Sequence, residues 1–183
     1  MKNDLFYTLE RLANLFRSES KEAMGQLGLQ PVHLEALSYL NICNRYSDTP
    51  QAVTDYLGST KGTVSQTLKI LESKHLIEKV KDPDDKRVVH LKLTVDGQHC
   101  IDNCYPPEGF GKVLEEFDET AATALNKQLK QILASYQSQA GREGFGVCQQ
   151  CHYNRSTSHG FQCGLTEDVL SEHDATLICR EFK

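Results

Sequence analysis

Cys148 and Cys151 form a C-x-x-C, and Cys163 and Cys179 extend it to the spacing C-x2-C-x11-C-x15-C. A C-x-x-C places two thiolates on one turn, and Cys163-Gly164 reads as a second turn carrying a third. Ser171-Glu-His-Asp is a capping box, so the fourth, Cys179, is expected in the last turns of a short terminal helix. Thiolates from two turns and a helix can close a tetrahedron around Zn2+ at Zn–S distances of about 2.3 Å. Zinc is the expected cofactor; an iron–sulfur cluster is the alternative, because the same donor set holds both. A full shell of four thiolates leaves no position for a substrate, so the centre is expected to be structural or to sense metal or redox state. The segment is poor in aliphatic residues and needs a cross-link of some kind to hold a fold.

The seven cysteines are an odd number, and the opening Met-Lys-Asn-Asp-Leu-Phe mixes charged and apolar residues, unlike a secretion signal. A reducing, cytoplasmic setting is therefore expected, which disfavours a disulfide framework. His152, His159 and His173 are read as surface groups or partners of the sulfurs, since four thiolates already satisfy a metal. Cys100 and Cys104, four apart beside His99, read as packed helix cysteines, and Cys43 as core.

The 183 residues suit one domain with an appendage. No apolar run approaches the roughly 18 residues that span a bilayer, so no membrane partner is expected. The net charge of −5 argues against polyanion binding over the whole surface. The charge is segregated, however. Residues 59–92 carry eight Lys/Arg against five Asp/Glu, and residues 93–140 carry three against seven. A local basic face is what a phosphate-binding element needs. No Ser/His/Asp arrangement, phosphate-binding loop or paired catalytic carboxylates stands out, so no enzyme is expected.

Helical spacing puts Leu5, Phe6, Leu9, Leu12, Ala13 and Phe16 on one stripe within residues 3–26, ended by Gly25 and Gly28. Pro31 and Pro50 each suit a first helical turn; Leu34, Leu37, Leu40 and Ile42 form the buried side of the first of these helices. Asn44 to Thr49 is a polar loop, and Gly58 closes the short helix after it. Ser59 or Thr60 then caps a helix from Lys61 to Lys74, with Val64, Leu68 and Leu71 inward. Ile77–Val80 and Val88–Leu93 alternate as a hairpin around Asp82-Pro-Asp-Asp-Lys. Thr94 caps a helix towards Cys104. A single long helix is expected from Glu108 to Ala140, carrying Val113, Leu114, Phe117, Ala121, Leu125, Leu129, Ile132 and Tyr136. The two terminal stripes are longer than a small winged domain needs and suggest a helical dimer interface; packing on each other within one chain is the simpler reading. Gly141 to Gly146 reads as a glycine-rich linker.

Short helix, glycine turn, capped helix and basic hairpin follow in the order of a winged helix-turn-helix. On the outward face of Lys61–Lys74, Gln66 can contact adenine through two hydrogen bonds, Lys69 can reach a guanine edge or phosphate, and Gly62 permits close backbone approach. Ser59, Thr60, Thr63 and Ser65, with Lys61, stand at the helix N-terminus, where phosphate oxygens are commonly held. At the hairpin tip Lys86 and Arg87 can flank or enter the minor groove.

Three motifs in order, Thr60-Lys-Gly-Thr-Val-Ser-Gln-Thr-Leu-Lys-Ile-Leu-Glu-Ser-Lys-His-Leu-Ile, Asp82-Pro-Asp-Asp-Lys-Arg and Leu93-Thr-Val-Asp-Gly, make residues 3–140 resemble the MarR family of bacterial transcription regulators. The resemblance implies a triangular homodimer on a pseudo-palindromic double-stranded DNA operator, with recognition helices in successive major grooves. It also implies that Arg87 is the wing arginine of the minor groove and that Asp85 helps to hold the wing. The chain departs from the family in His75, where glycine is usual, and in the acidic Asp82, Asp84 and Asp85 of the wing. The cysteine segment resembles C-terminal extensions of some MarR-like regulators.

The expected fold is mainly α with a small β-hairpin wing: a winged helix-turn-helix with long N- and C-terminal dimerisation helices and a four-cysteine module. Residues 1–140 form the DNA-binding and dimerisation domain, with its winged core at about 31–97, and residues 141–183 the metal-binding extension. The expected function is sequence-specific transcription regulation by a homodimer, with repression the expected sign and no effector identified. The contrasting reading is an iron–sulfur redox or electron-transfer component with the helix-turn-helix as scaffold. A third makes the cysteine module a docking knob for transcription machinery.

Overall fold

The computed structural model describes residues 2–141, 144–157 and 160–183. His159 and part of the glycine-rich linker lie outside the described residues. Helix α1 (Lys2–Gln26) is followed by α2 (Pro31–Ile42), α3 (Pro50–Leu57) and α4 (Lys61–Ser73). Strands β1 (Ile77–Lys81) and β2 (Val89–Leu93) form an antiparallel hairpin, with Ile77 opposite Leu93 and Lys81 opposite Val89.

Local chemistry ends these helices where the sequence places the ends. The Thr49 hydroxyl accepts from the Ala52 amide to cap α3, and Gly58 turns left-handed (φ 60°) to close it. Thr60 rather than Ser59 caps α4, accepting from the Thr63 amide. After α4, His75 takes the left-handed conformation (φ 58°) that favours glycine. The strain is offset locally: the His75 carbonyl accepts a 2.6 Å hydrogen bond from the Thr94 hydroxyl, which also caps α5 (Val95–Cys104) through the Gly97 amide. A side chain at Gly97 would run into the Leu76 carbonyl, so the Thr-Val-Asp-Gly motif fastens α5 to the base of the wing.

The main core is a single cluster in which Leu34, Leu37, Tyr39, Val53, Val64, Leu68, Leu71 and Leu91 are almost fully buried. Cys43, Cys100 and Cys104 belong to it, in line with their reading as packed residues. Ile42, expected inside, is 40% exposed, because α2 ends there and the chain turns away.

The expected long helix is two. Phe117 is extended (φ −82°, ψ 131°) between α6 (Glu108–Glu116) and α7 (Glu119–Gln139), and the Asp118 side chain caps α7 through the Ala121 amide. Neither helix has a buried residue. Phe16 of α1 meets Phe110 edge-to-face with centroids 4.7 Å apart, and Glu19 accepts from the Gly109 amide, so α1 and α6 do pack within one chain. Val113, Leu114, Leu125, Ile132, Leu133 and Tyr136 nevertheless stay exposed.

The cysteine segment forms β3 (Gly146–Val147), a 3-10 turn at Cys148–Gln150, β4 (Asn154–Thr157), β5 (Gly160–Cys163), β6 (Val169–Leu170), α8 (Glu172–Thr176) and β7 (Ile178–Cys179). Strands β4, β5 and β6 make one antiparallel sheet, and β3 pairs with β7. The Ser171 capping box forms as the sequence predicts. Cys179 is not in that helix, however: α8 ends at Thr176, Leu177 is extended, and Cys179 sits on β7 opposite Gly146.

Candidate nucleic-acid interface and thiol centre

Along α4, Val64, Thr67, Leu68 and Leu71 are buried, which turns Lys61, Gly62, Thr63, Ser65, Gln66 and Lys69 to the surface. Ser59 is half-buried and Thr60 exposed at the N-terminus. Space above Gly62 is open; a Cβ there would meet only the Thr60 hydroxyl at 3.9 Å. A groove between α3 and α4 is lined by Gln51 and Thr54 on one side and by Lys61, Ser65 and Lys69 on the other. Lys79 of β1 extends this basic lining, held at 2.5 Å by Glu72, and no local sequence pattern marks it.

At the wing, the acidic residues that depart from a simple phosphate grip fold the turn. Asp82 Oδ1 accepts from the Asp84 and Asp85 amides at 2.8 and 2.7 Å. Those bonds, that from Asp85 above all, together with His90, hold the Asp82 carboxyl down at about 2. Asp85 grips Arg87 in a two-point pair, Nε to Oδ1 at 2.9 Å and Nη2 to Oδ2 at 2.8 Å, and also accepts from the Arg87 amide. The Arg87 side chain is 91% exposed, so Asp85 aims it outward without covering it. Lys86 beside it is also exposed.

Sequence reasoning missed the wing's anchor. His90 of β2 lies between two carboxylates, with Nδ1 2.5 Å from Asp48 Oδ1 and Nε2 3.0 Å from Asp82 Oδ2. Burial works against the charge on His90, but the two carboxylates outweigh it and raise its pKa, which suits an imidazolium donating from both nitrogens. Asp48, 4% exposed, also accepts from Lys92 at 2.6 Å, and its carbonyl accepts from the Leu91 amide. The residues are 42 apart in sequence, so only tertiary structure joins them.

All four predicted ligands, Cys148, Cys151, Cys163 and Cys179, line one cavity together with Asn44, Tyr46 and Asn154. The thiols are free, Cys148 and Cys179 buried and Cys151 and Cys163 half-buried. They surround the cavity rather than meet at a point. Among the described residues, no three His, Cys, Asp or Glu side chains are disposed as a metal's ligands would be. Two side-chain amides belong to the cavity lining. Asn154 Nδ2 donates to Cys148 Sγ at 3.8 Å. Asn44 is fully buried; its Oδ1 accepts from the Tyr46 amide, and its Nδ2 has no partner. Burial foremost pushes the Cys148 thiol above its ordinary value, against the Asn154 amide. A cation at the centre would invert that balance by favouring thiolates, to which both amides could donate. Four sulfurs are the donor type of a thiolate-bound metal, and in this structure they line the cavity without being gathered as ligands.

This cavity does not hang free of the winged domain. The Asn44 amide donates to the Ile178 carbonyl and the Arg180 amide to the Ser47 hydroxyl, at 2.9 and 2.8 Å. Arg45 donates to the Val169 carbonyl, Tyr46 to Asp168, and Arg180 pairs with Asp55 of α3. Phe145 packs edge-on against Tyr39 and Tyr56.

The sequence model described as "MarR family" matches residues 27–88. Among curated proteins, the uncharacterised HTH-type transcriptional regulator YsmB of Bacillus subtilis (strain 168) is 22% identical over 131 residues, covering 70% of this chain and 88% of its own. Among solved structures, a MarR transcriptional regulator from Methanosarcina mazei Go1 superposes with a TM-score of 0.61 at 16% identity, covering 74% of this chain and 98% of its own. Wild-type MarR from E. coli gives 0.54 at 20% identity, and the S. aureus MepR–DNA complex gives 0.55 at 21%; each covers 70% of this chain and 96% of the other. These structures share its winged-helix fold. The matches are to regulators, not enzymes, and do not favour the electron-transfer reading. Residues 27–88 thus match the MarR family of transcription regulators, and they lie within the winged-helix fold of these structures.

Proposed function

We propose that this regulator acts as a cytoplasmic homodimer that binds a pseudo-palindromic operator in double-stranded DNA and represses transcription. The observation that carries the reading is the division of α4: its apolar side is locked into the core, while Gly62, Gln66 and Lys69 stand exposed beyond a hydroxyl-rich N-terminal turn. Gln66 and Lys69 would read base edges in the major groove, the hydroxyls of Ser59, Thr60, Thr63 and Ser65 with Lys61 would hold phosphates, and Arg87, aimed by Asp85, would enter the minor groove. The solved complex of S. aureus MepR with DNA supports this mode. Two-fold binding sets the two α4 helices about 34 Å apart, one DNA turn. The exposed apolar residues of α1, α6 and α7 supply a surface for the second copy.

Cys148, Cys151, Cys163 and Cys179 would hold one Zn2+ per chain. Bound there, zinc would cross-link the segment and take no part in catalysis. Asn154 and Asn44 would donate to the thiolates.

Selection of bound duplexes from a random-sequence pool, followed by anisotropy titration at several salt concentrations, tests the DNA reading. A two-fold-symmetric site should emerge; Gln66→Ala should relax its base preference, and Arg87→Ala should weaken binding and lower the salt slope by about 1. A pool that shows no selection, or variants that bind as the parent does, would overturn it.

A further inference from the structure

The loop from Asn44 to Asp48 lies between the thiol cavity and the wing and contacts both. On the cavity side, Asn44 is a lining residue whose buried Nδ2 has no partner, and its Oδ1 is taken by the Tyr46 backbone amide. Residues on both sides of Cys179 are tied to the same loop: the Ile178 carbonyl accepts from the Asn44 backbone N–H, and the Arg180 backbone N–H donates to the Ser47 hydroxyl. On the wing side, Asp48 holds His90 and Lys92 by its carboxylate and Leu91 by its carbonyl. The next residue, Thr49, caps α3, the first helix of the DNA-binding pair. A displacement at Asn44 therefore reaches the wing and the helix-turn-helix within five residues of chain.

We propose that the Asn44 side chain senses ligation of the thiol cavity and that the Asn44–Asp48 loop transmits it to the wing. The inference rests on the reading of the four cysteines as metal-binding thiolates and deepens it, making the centre regulatory as well as structural. Thiols are weak acceptors, and Asn44, which lines the cavity with them, keeps an Nδ2 without a partner; metal-bound thiolates are strong acceptors and would draw that side chain inward. The loop would follow, and Asp48 with it, changing how His90 and Lys92 anchor β2. A ligand shifts an equilibrium only through contacts that differ between states, and the Asn44 donor is such a contact. Asn44 is a positioning residue here, since it binds neither metal nor DNA.

The test uses the full chain, reduced and stripped of metal, then loaded with Co2+ for its visible spectrum or Zn2+ for NMR. In the parent, Co2+ should give a four-thiolate spectrum, and Zn2+ should move the His90 imidazole resonances and change affinity for the selected operator by about five- to 150-fold. Asn44→Leu should still give the four-thiolate spectrum, with His90 and operator affinity no longer responding. Should Asn44→Leu fail to fold, Ser47→Ala, which cuts the bond to the Arg180 amide, should blunt the same His90 response. Metal uptake with an unmoved His90, or an equal response in parent and variants, overturns this inference alone. A parent that takes up neither metal overturns the thiolate reading and this inference with it.

Discussion

The winged region and the cysteine segment are held together by different means. Between α2 and α5 the chain buries a continuous set of aliphatic residues, and each helix end is closed by its own cap. Among the described residues, the cysteine segment has a small cluster of buried Cys148, Leu170 and Cys179, against which Tyr46, Phe161 and Cys163 pack, and Ala175 is buried besides. Its strands are two to four residues long. The first region can stand on hydrophobic burial alone. The second buries too little and depends on hydrogen bonds, on docking to the α2–α3 loop and, in our account, on a metal. The proposed DNA-reading surface therefore sits on the self-sufficient region, and the conditional region is joined to it through the loop that anchors the wing.

The largest expected effect breaks the comparison at the metal. Structural zinc contributes roughly 10–16 kcal/mol to small cysteine modules. Chelation under reducing conditions should therefore abolish amide protection across residues 144–157 and 160–183, while residues 31–97 keep theirs. Hydrogen exchange followed by mass spectrometry measures both at once. Equal protection with and without chelator would mean that the segment holds itself.

A core substitution in each region sharpens the contrast. Leu68 is 2% exposed in the main core, and Leu68→Ala should cost about 2–5 kcal/mol in urea denaturation followed by helical signal. Leu170 is 3% exposed, yet Leu170→Ala should leave that midpoint nearly unchanged, because its neighbours are few and the helices do not rest on them. Equal losses would show one cooperative unit.

The sequence was legible to the extent that structure there is local. Gly58, Thr60 and Thr94 act where their types predict, since a cap needs only its own backbone within a few residues. The break at Phe117–Asp118 was hidden because the apolar stripe keeps its helical spacing across it; only the Asp118 cap signals it. The capping box at Ser171 gives a helix start but not a length, so the sequence does not show that α8 ends at Thr176 and that Cys179 pairs with Gly146 instead. The four cysteines were readable as a set from their types and spacing. Asn44, Asp48 and His90 read only as polar loop and strand residues, because their partners are distant in sequence.

The smallest effect concerns pH at the junction of the two regions. The folded pKa of His90 is raised above 6.5, so its bonds to Asp48 and Asp82 contribute fully below that value and are lost as pH rises through the folded one. Asp82 is depressed from 3.8 to about 2, so its share is present above 3.8 and lost as pH falls towards 2. Amide protection of the β1–β2 hairpin, corrected for intrinsic exchange, should thus peak between those limits and drop a few-fold at alkaline pH. His90→Gln should flatten the alkaline limb.

Hydroxyl-radical and methylation footprinting of the parent and Arg87→Ala on the selected operator tests the central claim most directly. The account predicts major-groove protection in two half-sites centred about 10 base pairs apart, flanked by minor-groove protection that Arg87→Ala removes. Protection confined to one half-site, or minor-groove protection indifferent to Arg87, would contradict it.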